Sequence, residues 1–289
     1  MVLVTPDQES YELLDSGDSM KLERFGAYVL ARPDPEALWP KGKPELWKKA
    51  DAEYVRKGAT GSWKSKAGFP KKWNIEYGGL TLELRPTSFK HVGIFPEQLS
   101  HWKWIGEKIR KSRAGGHGEI SVLNLFAYTG GATLSAAVAG ARLTHVDSSK
   151  VAIDWARTNA ELSGLAQAPI RWIEDDVLKF LRREVKRGSK YDIVIMDPPA
   201  FGHGTGKELW KIERDFAELF TLATQVLSEK PIAFIVNGYT AGYSPLTLAN
   251  NVRTIQETLG GTTEHGELAL PEQGTHRLLP AGVFARWSA

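Results

Sequence analysis

The feature that most constrains the fold is a regular alternation of apolar runs and helical segments after residue 95 of this 289-residue chain. The runs that predict strands are ISVLNLF, RLTHVD, PIRWIE, YDIVIMD and PIAFIVNG. Two further runs, GELAL and GVFARW, follow one another with no helix between them. Strands that alternate with helices predict a mostly parallel sheet covered on both faces, and the final pair predicts an antiparallel C-terminal strand.

Helical spacing of apolar residues supports the intervening elements. Residues 96–111 carry apolar side chains at helical intervals after a proline, which is typical of a helix start. A long helix is predicted over residues 207–228. Ser244 is the predicted N-cap of another helix, and Gly164 is a predicted C-cap.

The first 90 residues have a different sequence pattern: strand-like segments such as AYVLAR and LTLELRP lie among Pro, Gly and Trp. We therefore predict a small, mainly-β domain over 1–90 and an α/β domain over 91–289. From Lys41 to Trp73 there are ten Lys/Arg and three Asp/Glu, a local charge of +7, whereas the whole chain carries +3. This imbalance indicates either an acidic partner such as a nucleic acid or a solvated lysine-rich surface.

Composition excludes several classes of function. The chain has no Cys, so disulfides, cysteine-zinc sites and thiol nucleophiles are excluded. Its seven His residues show no paired ligand spacing, and no metal is expected. No apolar run approaches the roughly 18 residues that a membrane span needs, and the N-terminus does not read as a secretory signal. A cytoplasmic location fits these observations.

Acidic and glycine residues follow the predicted strands, where ligands bind in sheets of this type. Gly130 and Gly131 come after the first strand, Asp147 after the second, Asp175 and Asp176 after the third, and Asp197 after the fourth. Adjacent glycines allow close backbone approach, and a carboxylate can accept both hydroxyls of a ribose. Taken singly, the glycines also suit a turn, and Asp147 and Asp176 also suit helix N-caps. Together they predict a nucleoside site.

Two other nucleotide sites fit less well. The loop after the first strand reads YTGGAT, which lacks the G-x-G-x-x-G spacing of dinucleotide sites. The segment GTGKE lacks the leading Gly and the Ser/Thr of a P-loop. A NAD-dependent enzyme stays open as an alternative.

The segments NLFAYTGG, HVDSS, IEDDVLKFL and IVIMDPPAF resemble, in order and spacing, the motifs of class I S-adenosylmethionine (SAM) dependent methyltransferases. The likeness is greatest to bacterial large-subunit (23S) ribosomal RNA methyltransferases with NLF-YTGG and DPP-F patterns, and the end, HRLLPAGVFARW, is similar to members of unassigned target. The resemblance covers about residues 90–289. It implies a Rossmann-like fold, SAM as methyl donor, S-adenosylhomocysteine (SAH) as product, and RNA as partner.

The resemblance also implies roles for individual residues. Those at the methionine end of SAM would be Phe95, Gln98, Asn124, Phe126, Tyr128, Thr129 and Gly130, beside Gly131. Those at the ribose and adenine would be Asp147, Ser148, Asp176 and Val177. Those between the donor and the acceptor would be Asp197, Pro198 and Pro199.

The Asp-Pro-Pro turn suits methyl transfer for a physical reason. Two prolines fix φ near −65° and hold Asp197 extended, which makes a stiff shelf with carbonyl oxygens outside the ladder. Such oxygens can accept from an amine, and Phe201 can stack on a flat base. Methylation of pyrimidine carbon 5 needs a thiolate that this chain lacks, so a base nitrogen in RNA is the predicted target, ahead of a 2′-hydroxyl.

The acceptor is the least constrained part of this interpretation. The predicted RNA contacts are the basic side chains Lys64, Lys66, Lys71 and Lys72, whereas the tryptophans at 39, 47, 63 and 73 are assigned mainly to a core. The alternative is a SAM-dependent enzyme that acts on a protein or a small molecule.

Overall fold

The computed structural model describes residues 1–57, 60–203, 209–239 and 242–289. The chain divides into two compact units. The larger unit comprises 1–3, 101–267 and 282–289, and the smaller unit comprises 4–100 and 268–281. This division falls near residue 100 and places 268–281 with the N-terminal residues, whereas the predicted domain boundary near 90 stays a prediction.

Most of an eight-stranded sheet lies in the larger unit. Its strands are β1 (Val2–Val4), β9 (Ser121–Leu125), β10 (Arg142–Asp147), β11 (Ile170–Glu174), β12 (Ile193–Met196), β15 (Ala233–Gly238), β16 (Thr262–Pro271) and β17 (Leu278–Ser288). The order is β1-β16-β17-β15-β12-β9-β10-β11. The five strands from β15 to β11 pair in parallel, and β17 pairs antiparallel with β15, which confirms the predicted sheet.

Within the described residues, six helices follow or flank these strands. They are α2 (Leu99–Ala114), α3 (Gly131–Val138), α4 (Lys150–Leu162), α5 (Val177–Arg187), α6 (Ile212–Gln225) and α7 (Pro245–Leu259). Ser244 accepts a hydrogen bond from the Leu246 N–H and caps α7, as predicted. The C-cap of α4 is Ser163, one residue before the predicted Gly164, which follows it with a left-handed φ of +72°.

Both faces of the sheet are buried because side chains alternate along each strand. On β12, Val194 and Met196 pack with α5, α6 and α7, whereas Ile193 and Ile195 pack with α2 and α3. The sheet therefore lies between two helical layers, as the uninterrupted apolar runs predict. No helix in the described ranges is both long enough and apolar enough to cross a lipid bilayer.

The smaller unit is mainly β, as predicted. Its strands are β2 (Tyr11–Gly17), β3 (Met20–Phe25), β4 (Tyr28–Pro33), β5 (Ala52–Lys57), β6 (Thr60–Ser65), β7 (Trp73–Tyr77) and β8 (Leu80–Leu84), with a short helix α1 (Pro44–Trp47) and a 3₁₀ turn at Pro96–Gln98. Strands β2 to β6 form one sheet, and β7 and β8 form a hairpin.

The long helix predicted over 207–228 is wrong at its start. Leu209–Lys211 is a strand, β14, which pairs antiparallel with β13 (Phe201–His203), and α6 begins only at Ile212. Residues 207 and 208 lie outside the described residues. The indole N–H of Trp210 donates to the Pro199 carbonyl at 2.6 Å, and its ring contacts Phe126. These tertiary contacts outweigh the helical spacing of the segment.

Candidate functional site

The candidate site lies at the carboxyl ends of β9, β10, β11 and β12. The strand order reverses between β9 and β12: β10 and β11 extend the sheet on one side of β9, and β12 and β15 extend it on the other. At such a switch point the chain leaves adjacent strands in opposite directions and opens a crevice. Asp147 is the last residue of β10, and Asp176 and Asp197 come shortly after β11 and β12, so all three lie at this edge.

The loop after β9 has an unusual backbone. Phe126 and Tyr128 have φ of +57° and +48°, and Gly130 has φ of +89°. Left-handed geometry is rare for bulky side chains and costs on the order of 1–3 kcal/mol for each residue. Such strain persists only where the surroundings hold it, and it clusters at functional sites.

The contacts that hold this loop come from two elements, β10 and α4. The Ala127 N–H donates to the Val146 carbonyl at 3.0 Å, and the Asn159 amide donates to the Thr129 carbonyl at 2.9 Å. The Tyr128 ring meets Trp155 of α4 edge-on, with ring centroids 6.0 Å apart. Residues outside the loop therefore hold it in the strained conformation and make it rigid.

Packing inside the larger unit explains why glycine occupies positions 130 and 131. A Cβ on Gly131 would lie 2.1 Å from Cζ2 of Trp102, and one on Gly130 would lie 3.1 Å from Cβ of Ala156. Any side chain at Gly131 would have to displace the Trp102 ring. Helix α3 can thus begin close to α2, and the cofactor role of both glycines stays a prediction.

A buried polar chain supports the loop from below. Asn124 donates to the Thr133 hydroxyl at 2.9 Å, and that hydroxyl lies 2.9 Å from Nδ1 of His145. Burial lowers the pKa of His145 to about 3, so its ring is neutral. Asn124 is thus committed to a structural hydrogen bond, in addition to its predicted place beside methionine.

Asp147 is the group best suited to a ribose. One carboxylate oxygen accepts from the Tyr128 N–H and the other from the Ser149 N–H, each at 2.8 Å. Burial raises the pKa of Asp147, and the backbone N–H groups of Ser149, Tyr128 and Ser148 oppose that rise. The carboxylate is half-buried, and each oxygen keeps a further lone pair for a hydroxyl.

Asp176 is the N-cap of α5. Its side chain accepts from the Lys179 N–H at 2.9 Å, which is the alternative that the sequence left open. The neighbouring Asp175 pairs with Arg183, and Val177 is buried beneath. A capping Asp still has one oxygen to accept from an amine, so the cap and the adenine contact are compatible.

The Asp-Pro-Pro turn leaves the sheet edge after β12. Asp197 is half-buried, Pro198 is buried and Pro199 is exposed. The Pro199 carbonyl accepts from Trp210, and the Ala200 carbonyl accepts from the Ile212 N–H at 3.1 Å. The Pro199 carbonyl, one of the oxygens expected outside the ladder, is therefore occupied by a side-chain donor. Phe201 is 54% exposed, as a stacking surface requires.

Two residues predicted to contact the methionine end of SAM, Phe95 and Gln98, come before the first strand of the predicted α/β domain and lie in the smaller unit. Phe95 precedes the 3₁₀ turn, and its carbonyl accepts from the Gln98 N–H at 3.0 Å. Gln98 is buried, and the Phe95 ring contacts His91. Their roles stay predictions.

The four lysines predicted to contact RNA are all exposed. Lys66 lies 3.6 Å from Asp51 and Lys72 lies 2.8 Å from Glu83. The tryptophans at 39, 47, 63 and 73 are half-buried, and each indole N–H donates to a group of the same unit. This agrees with their assignment to the core of the small unit.

Sequence reasoning missed several residues that shape the site: Trp102, Thr133, His145, Trp155, Asn159 and Trp210. They lie on helices or strand interiors and act on the loop from behind. The only signal in the sequence is a polar or bulky residue at a position where the helix or strand pattern predicts an apolar or small one. That signal cannot show which other residue it contacts.

A strained loop, a carboxylate suited to a ribose and a rigid Asp-Pro-Pro turn meet at one switch point of a Rossmann-like sheet. This arrangement is typical of proteins that bind a nucleoside. Residues 51–231 match the S-adenosylmethionine-dependent methyltransferase family, which covers more than half of the chain. The chain therefore belongs to this family, and SAM is its methyl donor.

Solved structures agree with this assignment. The SAM-dependent methyltransferase from Agrobacterium tumefaciens is 38% identical, with a TM-score of 0.95 over 100% of this chain and 93% of that one. A methyltransferase described as SAM-dependent from Streptococcus mutans has a TM-score of 0.70 over 96% of this chain and 75% of that one, at 18% identity, and shows the fold alone.

Curated relatives match over shorter stretches. Ribosomal RNA large subunit methyltransferase K/L of Shewanella frigidimarina is 34% identical over 155 residues, which are 53% of this chain and 20% of the relative. Ribosomal RNA large subunit methyltransferase I of Klebsiella pneumoniae is 42% identical over 108 residues, 37% of this chain and 27% of the relative. The aligned residues thus span only about a fifth to a quarter of the length of these relatives.

Proposed function

We propose that this enzyme methylates a base nitrogen of ribosomal RNA by direct displacement. The observation that carries the proposal is the exposed Phe201 at the end of the rigid Asp-Pro-Pro turn, beside the switch point where the nucleoside site lies. A flat, exposed ring at this position suits a planar acceptor. The names of the curated relatives support the choice of ribosomal RNA, and a cytoplasmic location goes with it.

The residues present fit SAM. Asp147 has lone pairs left for two ribose hydroxyls, Asp176 has an oxygen left for the adenine amine, and the loop at 126–130 is held rigid. Phe126, Tyr128, Thr129 and Gly130 would line the methionine part. Phe95, Gln98 and Ser148 keep the roles that the family resemblance implies.

SAM, when bound, supplies a methyl group that forms a new N–C bond as the C–S bond breaks; the bond pair stays on sulfur and the acceptor nitrogen loses a proton. The task of the protein is to hold the acceptor in line. Positioning of this kind is worth roughly 7–11 kcal/mol. Asp197 and the rigid prolines would orient the amine, and Phe201 would hold the plane of the base.

The small unit would supply the electrostatic contacts to RNA. Lys64 and Lys71 are exposed, and Lys66 and Lys72 keep exposed ammonium groups despite their ion pairs. Lysines neutralise phosphates without regard to sequence, so they would position the RNA while the site in the larger unit selects the base.

The test is transfer of tritiated methyl from SAM to total RNA from cells that lack this protein, followed by mass spectrometry of the nucleosides. We expect label in RNA, sensitive to nuclease, in one N-methylated base, and none with Asp197→Ala. Label in protein, or in no macromolecule, would support the alternative of a protein or small-molecule acceptor. An alkali-stable dinucleotide would instead identify a 2′-O-methyl product.

A further inference from the structure

Two aromatic rings of the larger unit are exposed just beyond neighbouring strand ends. Phe201 is 54% exposed and Tyr239 is 38% exposed. Met196 and Val236 are register partners at the ends of the parallel strands β12 and β15, and the two aromatic residues follow them closely. Both rings therefore lie at the edge of the sheet that carries the nucleoside site.

These two rings are more exposed than other aromatic rings of the larger unit. Other large aromatic side chains of the larger unit, such as Trp102, Trp155 and Phe234, are buried. An aromatic ring left in water forgoes about 1.5–3 kcal/mol of burial, and exposed aromatics near a site often serve recognition.

The Tyr239 ring is held in place from beneath. A Cβ on Gly282 of β17 would lie 3.1 Å from Cε1 and 3.2 Å from Cδ1 of Tyr239. Gly282 has φ +141°, which other residues rarely adopt. The ring thus rests on bare backbone, which fixes its orientation and leaves part of it exposed.

A cation stands beside the other ring. Lys211 is the cross-strand partner of Phe201 in the β13–β14 ladder, and directly opposed residues of an antiparallel pair project from the same face. Lys211 is exposed. Two aromatic rings with a neighbouring ammonium provide what an unpaired nucleotide needs: stacking for its base and a counter-charge for its phosphate.

We infer that Tyr239 is a second stacking surface for an unpaired base of the RNA acceptor, beside Phe201, and that Lys211 contacts the adjoining phosphate. The inference rests on the proposed function. It adds that the acceptor nucleotide is bound single-stranded or flipped, because a base inside a duplex has no free face.

The test compares two fluorescent ten-nucleotide RNAs by anisotropy in the presence of SAH, one of adenines and one abasic. Removing the ring by Tyr239→Leu, with Tyr239→Met as a second variant, should weaken binding of the adenine probe about five- to a hundredfold and leave the abasic probe unchanged. Tyr239→Phe keeps the ring and should bind like the wild type. Lys211→Gln should weaken both probes equally and reduce the salt slope by about 0.7.

The control is Phe89→Leu, which removes an aromatic side chain that is 69% exposed in the smaller unit. It should change neither probe. If Tyr239→Leu and Tyr239→Met bind the adenine probe like the wild type, or weaken both probes equally, the stacking role is wrong.

The same holds if the wild type does not distinguish the two probes. If any of these binding results is obtained but RNA is methylated in the transfer assay, only the inference about Tyr239 fails. If the wild type binds neither probe and labels no RNA, the proposed function fails and the inference fails with it.

Discussion

At the scale of single residues, Asp147 combines observed contacts to the backbone with a proposed contact to the nucleoside. Its two oxygens fix the backbone at Tyr128 and Ser149, and the same oxygens are the proposed acceptors for ribose hydroxyls. The nucleoside contact and the strained loop are thereby coupled through one carboxylate. Loss of that carboxylate should affect both.

We expect Asp147→Ala to weaken SAH binding by about 1–3 kcal/mol, about five- to a hundredfold, because ribose hydroxyls lose their acceptor. Calorimetry with SAH measures this. The matched control is Asp154→Ala on α4, an exposed carboxylate that pairs with Lys150 at 2.6 Å. Unchanged affinity in Asp147→Ala would remove this residue from the site.

Glu97 is a second informative carboxyl group, in the smaller unit. It is buried, and burial raises its pKa to about 7. An acid whose folded pKa exceeds its unfolded value resists ionisation in the folded state, so it destabilises the fold as pH rises from about 4.5 to about 7. The full cost, about 3 kcal/mol, is present above pH 7.

Glu97→Gln should therefore stabilise the protein at pH 8 and lose that advantage near pH 4.5. Urea unfolding at both pH values measures the difference between variant and wild type. Glu53→Gln, at an exposed position on β5, is the control and should show no such dependence. A Glu97→Gln advantage that is equal at both pH values would contradict the prediction.

At the scale of elements, the N-caps of two helices supply polar side chains at the candidate site. The N-cap of helix α5, Asp176, is also the proposed adenine contact. The N-cap of helix α4 is Ser149, whose hydroxyl accepts from the Ala152 N–H. Capping at strand-to-helix turns places polar atoms at the ends of the strands, where the candidate site lies.

The two roles of Asp176 can be separated by substitution. Asp176→Ser keeps a capping oxygen and removes the carboxylate, whereas Asp176→Ala removes both. We expect both variants to weaken SAH binding, and only Asp176→Ala to lose about 1 kcal/mol of unfolding free energy. If Asp176→Ser binds SAH like the wild type, Asp176 is a cap alone; thermal unfolding measures the stability and calorimetry measures the affinity.

The hairpin of β13 and β14 is the element that the sequence did not reveal. It turns the chain after Asp-Pro-Pro so that Phe201 is exposed and Trp210 is buried against the turn. The helical spacing after residue 207 describes α6 correctly, but it cannot show where the helix begins. Lys211 and Phe201 become neighbours only because of this hairpin.

At the scale of the whole molecule, the uneven charge is the property that matters for an RNA substrate. The segment from Lys41 to Trp73 carries +7 although the whole chain carries only +3, and its lysines are largely exposed. Exposed cations act through counterion release, so their effect is measured by the salt dependence of binding.

Replacing Lys64, Lys66, Lys71 and Lys72 by Gln should reduce the slope of log K against log salt by about 0.7 for each phosphate that is no longer neutralised, up to about 3. Fluorescence anisotropy with RNA at several salt concentrations measures it. The control replaces four exposed lysines of the larger unit, Lys103, Lys111, Lys186 and Lys230, and should leave the slope nearly unchanged. Equal effects of both sets would indicate general charge rather than a binding face.

The sequence by itself determined the sheet, its mostly parallel direction, the antiparallel last strand and the edge at which the predicted ligand-binding residues gather. These follow from local patterns: continuous apolar runs, helical spacing, and acidic or glycine residues just after strands. The four motifs also sufficed to indicate the methyltransferase family, because their order and spacing are specific.

Only the tertiary structure decided how the loop after β9 is strained, why Gly131 cannot carry a side chain, which carbonyl of the Asp-Pro-Pro turn is occupied, and that Tyr239 is exposed. Each of these depends on a partner far away in the chain, such as Trp102, Asn159, Trp210 or Gly282. Local sequence fixes dihedral preferences and hydrophobic faces, but a close approach between distant residues exists only once the sheet has brought them together.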